Sequence, residues 1–295
     1  MHYPCGSNMK PQTHSRTSSL LPKLALAAVA AAVSACGSRT PEAGPSPPPS
    51  ATPLPVAELL RRADEAYAAR ENLAAVMEGL TTLRRISAVE RDNYDAAWRT
   101  ARLNYTLGDK ATDAAAREQA FLDGIAAGET AAKAQPERPE GHFWLGANLG
   151  GYAKLKGVLY GITSAEKMRK EMEAVIRIDE SFQGGSAYLA LGQLDTELPQ
   201  MLGGDPARAV ATLEKGLRYG ANNSLMHLRL AEAYIAARRK PDARREVNYI
   251  LNATPDPEYL PEHREAVKGA QELLRKYLGQ VTLISESRPT RPRFV

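Results

Sequence analysis

The chain has 295 residues, two cysteines and a formal net charge of +4, from 38 lysines and arginines against 34 aspartates and glutamates. Lys10, Arg16 and Lys23 fall in an acid-free leader, and without them 35 basic residues face 34 acidic ones. Such a balance produces no basic field, and this excludes nucleic acid as an expected partner.

The leader has the order of a bacterial export signal. Basic residues come first, an apolar run follows at residues 24–33, and Val33-Ser34-Ala35-Cys36 ends it. The apolar run is too short to span a bilayer. Small residues directly before a cysteine resemble a lipobox, at which the cysteine thiol is lipidated and the chain is cut just before it. The alternative is a cleaved secretory signal with an incidental cysteine.

Lipidation at Cys36 has two consequences. Gly37, rather than an aspartate, follows the cysteine, and this resemblance implies an outer-membrane-anchored lipoprotein on the periplasmic face. Because Cys5 is lost with the leader, the mature domain has no free thiol, which excludes disulfides, thiolate catalysis and cysteine metal sites. We therefore expect the body to be stabilised by its apolar core alone.

Composition divides the chain into four segments. We predict a signal peptide at residues 1–35, a lipidated cysteine with a Pro/Ser-rich tether at 36–54, a folded body at 55–278 and a flexible tail at 279–295. The tether lacks large apolar side chains that it could bury. At about 3.1 Å per residue, it would hold the body roughly 50 Å from the bilayer.

Helical periodicity dominates the body, where apolar residues recur at spacings of three and four. Within residues 227–250, Leu230, Ala231 and Tyr234 mark one face of a first helix, and Ala243 and Val247 mark a second. Alternating small and large residues are typical of tetratricopeptide (TPR) repeats. We predict an all-α, TPR-like solenoid of about five helix pairs plus a C-terminal closing helix. The alternative is an irregular helical bundle.

Three stretches hold more residues than a minimal repeat needs between its two helices: 109–122, 150–164 and 195–206. Insertions in solenoids usually lie on one face, which is often the binding face. The apolar and aromatic side chains in or beside these stretches are the candidate partner- or ligand-binding residues, namely Trp144, Tyr152, Val158, Leu159, Tyr160, Leu198, Met201 and Leu202. Alternatively, these side chains complete the cores of enlarged repeats.

A family resemblance rests on three segments: HFWLGANLGGYAKLKG, VIRIDESFQGGSAYLALGQLDTELPQMLGGDPARA and LMHLRLAEAYIAARRKPDARREVNYIL. They resemble the TPR-containing T component (TatT) of TRAP transporters. The likeness covers residues 55–278 and is most specific at Gly184-Gly185 and at residues 198–206, whereas Gly-Ser-Ala before Tyr188 departs from the bulkier run expected there. The resemblance implies a periplasmic lipoprotein that associates with a solute-binding protein during uptake.

Two functions are open at this point. In the first, the protein is a non-enzymatic scaffold that holds a partner protein near the membrane, for which the resemblance implies a periplasmic solute-binding protein. In the second, the protein is an accessory of a TRAP-type transporter, and an apolar cavity at the axis of a homo-oligomer transfers a hydrophobic ligand.

The sequence shows no pattern of catalysis or metal binding. It contains no HExxH, CxxC, GxSxG or P-loop motif. His142 and His227 fall at equivalent positions early in two repeat helices, which favours packing over ligation, and His263 lies in the charged closing helix. We expect no enzyme activity, no cofactor and no metal ion.

Replacing Cys36 with alanine tests the anchor. We expect the wild-type protein to incorporate labelled palmitate and partition with membranes, and Cys36→Ala to do neither, because the thiol is the acylated atom. A wild-type protein that takes up no label would show that the cysteine is incidental.

Overall fold

The computed structural model describes residues 54–255 and 257–279. The signal peptide, Cys36, the tether up to residue 53 and the tail beyond Gly279 lie outside the described residues. The helices in the described part run Val56–Ala68 (α1), Leu73–Ser87 (α2), Tyr94–Lys110 (α3), Ala114–Ala134 (α4), Pro139–Lys156 (α5), Val158–Ile178 (α6), Ser186–Glu197 (α7), Pro206–Gly216 (α8), Ser224–Ala236 (α9), Lys240–Asn252 (α10) and Leu260–Leu273 (α11).

These helices form antiparallel hairpins that stack in chain order. The hairpins are α1–α2, α3–α4, α5–α6, α7–α8 and α9–α10, and α11 packs on α9 and α10. The described residues contain no strand. The prediction of an all-α, TPR-like solenoid with five helix pairs and a closing helix is confirmed. Among the same residues, no helix combines the length and apolar character needed to cross a bilayer.

Small residues set how closely the two helices of a hairpin approach. A Cβ atom on Gly192 of α7 would lie 2.3 Å from Leu213 of α8, and one on Gly216 would lie 2.8 Å from Tyr188. Both distances are shorter than van der Waals contact, so only glycine permits this separation. The small–large alternation read from the sequence is thus the physical basis of the hairpin.

Five of the eleven helices in the described part begin at a side-chain cap. Asn72, Asn93, Asp113, Asp205 and Asn223 each accept a hydrogen bond from a backbone N–H in the first turn of the following helix. Such caps satisfy donors that have no partner within the helix. The local sequence therefore determines where α2, α3, α4, α8 and α9 begin.

Three stretches were expected to be extra residues between helices. For two of them this is wrong, because their residues lengthen the helices instead. Residues 109–122 are helical except at 111–113, and residues 150–164 are helical except at Gly157, whose φ is 89°. Alanine-rich sequence favours continued helix over a loop. As a result α3 to α6 have 17 to 21 residues, whereas α7 to α10 have 11 to 13. Residues 195–206 include the longest connection of the three, which contains a 3₁₀ turn at Gln200–Leu202.

Truncating Leu230 tests the packing. Its side chain is 1% exposed, so we expect Leu230→Ala to lower the free energy of unfolding by about 2–5 kcal/mol through lost burial and a cavity. Urea denaturation followed by circular dichroism measures this. Met77→Ala is the control, since Met77 is 57% exposed. Equal losses in both variants would contradict the assigned core.

Candidate functional site

The most exposed large apolar side chains in the described residues lie at the tips of two adjacent hairpins. Leu159, at the start of α6, is 82% exposed, and Met201, in the connection between α7 and α8, is 89% exposed. Tyr160 and Leu198 are half-buried, and Leu202 is exposed. We call these five residues the tip surface. Met201 and Leu202 are therefore not buried beneath the next repeat.

The base of the first tip is built from tyrosines. The rings of Tyr160 and Tyr152 meet edge to face, with their centroids 4.6 Å apart. Tyr152 is buried and donates a hydrogen bond to Glu118 of α4 at 3.1 Å, and Lys156 donates to the same carboxylate at 2.9 Å. Tyr152 thus supports the tip from inside, and its role as a contact residue stays a prediction. The side chain of Val158 lies outside the described part.

The second tip is held by a buried carboxylate. Asp195, near the end of α7, is 1% exposed and accepts two hydrogen bonds from Arg208 at 2.7 Å and one from Arg169 of α6. Arg208 also donates to the carbonyl oxygen of Gly203 at 2.6 Å. The N–H of Asp205 donates to the backbone oxygen of Asp195 at 2.9 Å. The connection that carries Met201 is therefore tied to α6, α7 and α8.

The charge of Asp195 matches this role. Burial by itself raises the pKa of the Asp195 carboxyl, but hydrogen bonds from Arg208 and Arg169 outweigh it and place the pKa below its usual range. The carboxylate therefore stays ionised and paired near neutral pH.

The glycine pair completes the second tip. Gly203 has φ of +94°, a conformation that favours glycine. A Cβ atom on Gly204 would lie 1.8 Å from the carbonyl oxygen of Leu198, so no side chain fits there. The unusual Leu-Gly-Gly-Asp-Pro sequence thus encodes a tight connection that leaves Met201 exposed.

Trp144 does not belong to the tip surface. It is buried, with ring centroids 6.2 Å from Tyr67, 5.8 Å from Tyr105 and 5.0 Å from Phe143. Aromatic side chains from α1, α3 and α5 enclose it, and its role as a contact residue stays a prediction. Large rings are needed where three helices meet around a gap.

Two histidines make the same set of polar contacts in different repeats. His142 Nδ1 lies 2.6 Å from a Glu171 oxygen, and His142 Nε2 lies 3.0 Å from the carbonyl oxygen of Pro136. His227 repeats this arrangement with Glu246 at 2.6 Å and Ala221 at 2.9 Å. Each ring joins the two helices of its hairpin to the preceding turn, as expected for packing histidines.

The described residues contain no cluster of three or more histidine, cysteine, aspartate or glutamate side chains that could hold a metal ion. Ser224 Oγ lies 2.8 Å from His263 Nδ1. Ser224 is buried at the start of α9, so its hydroxyl is not presented to a substrate.

Two open clefts lie away from the tips. One, of about 500 Å³, lies between α1 and the start of α11 and is lined by Asp64, Tyr67, Ala68, Arg70, Glu71, Pro257, Leu260, Pro261 and Arg264. The other, of about 440 Å³, lies between α9 and α11 and is lined by Glu232, Ile235, Ala236, Gly269, Glu272, Leu273, Lys276 and Tyr277. Charged and apolar side chains together line both clefts.

Sequence reasoning missed the group that holds the second tip. Asp195 lies 26 residues after Arg169 and 13 residues before Arg208, and arginines and aspartates are common on solvated helix faces. One signal was present, since Asp195 directly follows Leu194 on the apolar side of α7. A carboxylate at such a position requires a buried partner.

Comparison with known proteins agrees with the helical hairpins. Residues 59–197 match the family described as Regulator of microtubule dynamics protein 1-3, over less than half of the chain. Residues 201–260 match a tetratricopeptide repeat family. No curated protein sequence matches the chain.

One solved structure has the same class of fold. A thermophilic TPR protein of Thermus thermophilus is similar, with a TM-score of 0.54 and 18% identity over 73% of this chain and 98% of that one. The TPR domain of P58(IPK) aligns with a TM-score of 0.26 and 16% identity over 76% of this chain and 67% of that one. Together with the repeat match, the hairpin packing defines a TPR-type helical-repeat protein. TPR repeats typically mediate protein–protein interaction.

The polar contacts of His142 predict that the free energy of unfolding depends on pH. The hydrogen bond to Glu171, assisted by the Pro136 carbonyl, raises the pKa of His142 above its ordinary value although burial opposes it. Its stabilisation is therefore complete below the unfolded-state pKa of about 6.5 and is lost as pH rises through the higher folded-state pKa.

Comparison with His142→Gln isolates this contribution. We expect the difference in unfolding free energy between wild type and variant to be largest in mild acid and to shrink as the pH becomes alkaline. Urea denaturation over a pH series measures it. A difference that grows with rising pH would show that His142 is stabilising as a neutral ring.

Proposed function

We propose that this protein is a lipid-anchored scaffold of the cell envelope, which uses the tip surface to bind a partner protein. The observation that carries the proposal is the exposure of Leu159 and Met201 on adjacent, tightly held tips. Strongly exposed large apolar side chains on neighbouring hairpin tips favour an interaction site. The anchor at Cys36 is part of the proposal and rests on the sequence.

The unequal hairpin lengths give the tip surface its shape. Arg169 of α6 contacts Asp195 near the end of α7, and 11 residues of α6 precede Arg169. At 1.5 Å per residue, α6 extends about 17 Å past that contact. Ile162 lies about two turns before Arg169 and therefore on the same side of α6, and Leu159 lies one turn further along. The extension and the shorter α7–α8 connection therefore form a step with apolar residues on both parts.

The connection that exposes Met201 is firmly held, which supports a binding role for Met201 rather than exposure through poor packing. Asp195 and its two arginines tie down the connection from below, and Gly203 and Gly204 fix its path. Met201 is thus exposed by a well-defined backbone. A preformed apolar surface loses little conformational freedom on binding, which favours affinity.

The resemblance to the TRAP transporter T component suggests a periplasmic solute-binding protein as the partner. The alternative function, transfer of an apolar ligand, would use an enclosed apolar cavity, whereas the two clefts are open and carry charged as well as apolar side chains. A partner that docks on the step requires no cavity.

Charge placed on the step tests the proposal. We expect Leu159→Glu and Met201→Glu to melt like the wild type, because both side chains are exposed, and to lose the partner that the wild-type protein captures from envelope membranes. Circular dichroism gives the melting temperature, and affinity capture with quantitative mass spectrometry gives the partner.

Val89→Glu is the matched control. Val89 is 78% exposed in the turn between α2 and α3, away from the tips, so this variant should melt and bind like the wild type. If both tip variants still capture the partner, the tip surface is not the binding site. If they melt at clearly lower temperatures, these residues belong to the core.

A further inference from the structure

The first repeat and the closing helix meet through charged side chains. Arg70, just after α1, donates to both carboxylate oxygens of Glu262 in the first turn of α11, at 2.9 and 3.1 Å from one nitrogen and 3.3 Å from another. These residues are 192 positions apart in the chain. Arg70 is nine-tenths buried, whereas Glu262 is partly exposed.

No shared apolar core accompanies this contact in the described residues. The buried side chains of α1 belong to a cluster with α2 and α3, and those of α11 belong to a cluster with α8, α9 and α10. A cleft of about 500 Å³ remains between α1 and the start of α11. The two ends are therefore joined by an ion pair beside open space, rather than by close packing.

Arg70 also contacts an aromatic cluster, which consists of Tyr67, Tyr105, Phe143 and Trp144. The Arg70 guanidinium lies 5.0 Å from the Tyr67 ring centre, and the Arg102 guanidinium lies 4.0 Å from the same ring. Tyr67 in turn meets Trp144 edge to face. Glu262, Arg70, Tyr67 and Trp144 thus form a continuous series of contacts from α11 to α5.

The cluster keeps unused hydrogen-bonding capacity. The Nε atom of Arg102 and the indole Nε1 of Trp144 are buried, and neither has an acceptor among the described residues. Buried donors without acceptors are costly and are normally paired. This surface therefore has donors and aromatic faces that the folded array itself does not use.

We infer that the Arg70–Glu262 pair is a latch, which holds the array closed where Tyr67 lies beside the first turn of α11. Release of the latch separates α1 from α11 and opens the Tyr67 side of the aromatic cluster. Ion pairs with a partly exposed member are weakened by salt, so the closed state responds to ionic strength. This inference does not rest on the proposed binding at the tip surface.

The two tryptophans of the chain are native probes of this change. Trp98 and Trp144 are the only tryptophans, both are buried, and Arg102 lies over Trp98 at 4.8 Å. We expect Glu262→Arg and Arg70→Glu in the full chain to increase acrylamide quenching of tryptophan fluorescence. We also expect a larger radius of gyration by small-angle X-ray scattering.

The charge swap Arg70→Glu with Glu262→Arg distinguishes a latch from general damage. It should return both readouts to wild-type values, because it restores the pair with reversed polarity. Glu272→Arg is the control, since Glu272 pairs with Lys276 within the same C-terminal segment, and it should change neither readout. Far-UV circular dichroism checks that each variant is folded.

The salt dependence of tryptophan quenching gives a second test of the latch. Added sodium chloride should increase quenching in the wild type and in the charge swap, but not in the single variants, which are already open. Single variants indistinguishable from wild type would overturn the inference. So would single variants that open while the charge swap stays equally open, because the contact would then not act as an ion pair.

Discussion

Two helices of a hairpin approach closely only where a small residue faces a large one, and the whole array depends on this constraint. Gly192 faces Leu213 in one hairpin, and Gly108 faces the Phe121 ring in another, each with room for no additional carbon atom. Close approach buries the large side chain against backbone and gives each hairpin a single register. Hairpins that stack in this register position the tip surface and bring α1 and α11 together.

Hairpin length then determines which apolar residues remain exposed. The second and third hairpins are longer than the fourth and fifth, so α6 continues past the point where Arg169 meets Asp195. Leu159 lies on this uncovered extension, and Met201 lies on the short connection beside it. A buried carboxylate with two arginines holds that connection, and the proposed binding surface follows from this difference in length.

The sequence predicted the repeated part of the fold well and the particular contacts poorly. Small–large alternation at residues such as Ala231 and Tyr234 is local, so helix pairs could be read from spacing. Where a helix ends depends on a single residue, as at Gly157, and extra residues were therefore mistaken for loops. Trp144 was assigned to the surface because the sequence does not show which face three neighbouring helices enclose. The Asp195 and Arg70 pairs connect distant segments and leave no periodic pattern.

The most direct measurement of the central claim is site-specific photo-cross-linking in intact cells. A photoreactive phenylalanine analogue placed at Met201 or Leu159 should yield the same discrete cross-linked partner, and the analogue at Val89 should not. The position-dependent product would show that the step between the two hairpins contacts a protein in the envelope. Cross-links that are absent at both tips, or equally strong at Val89, would contradict the account.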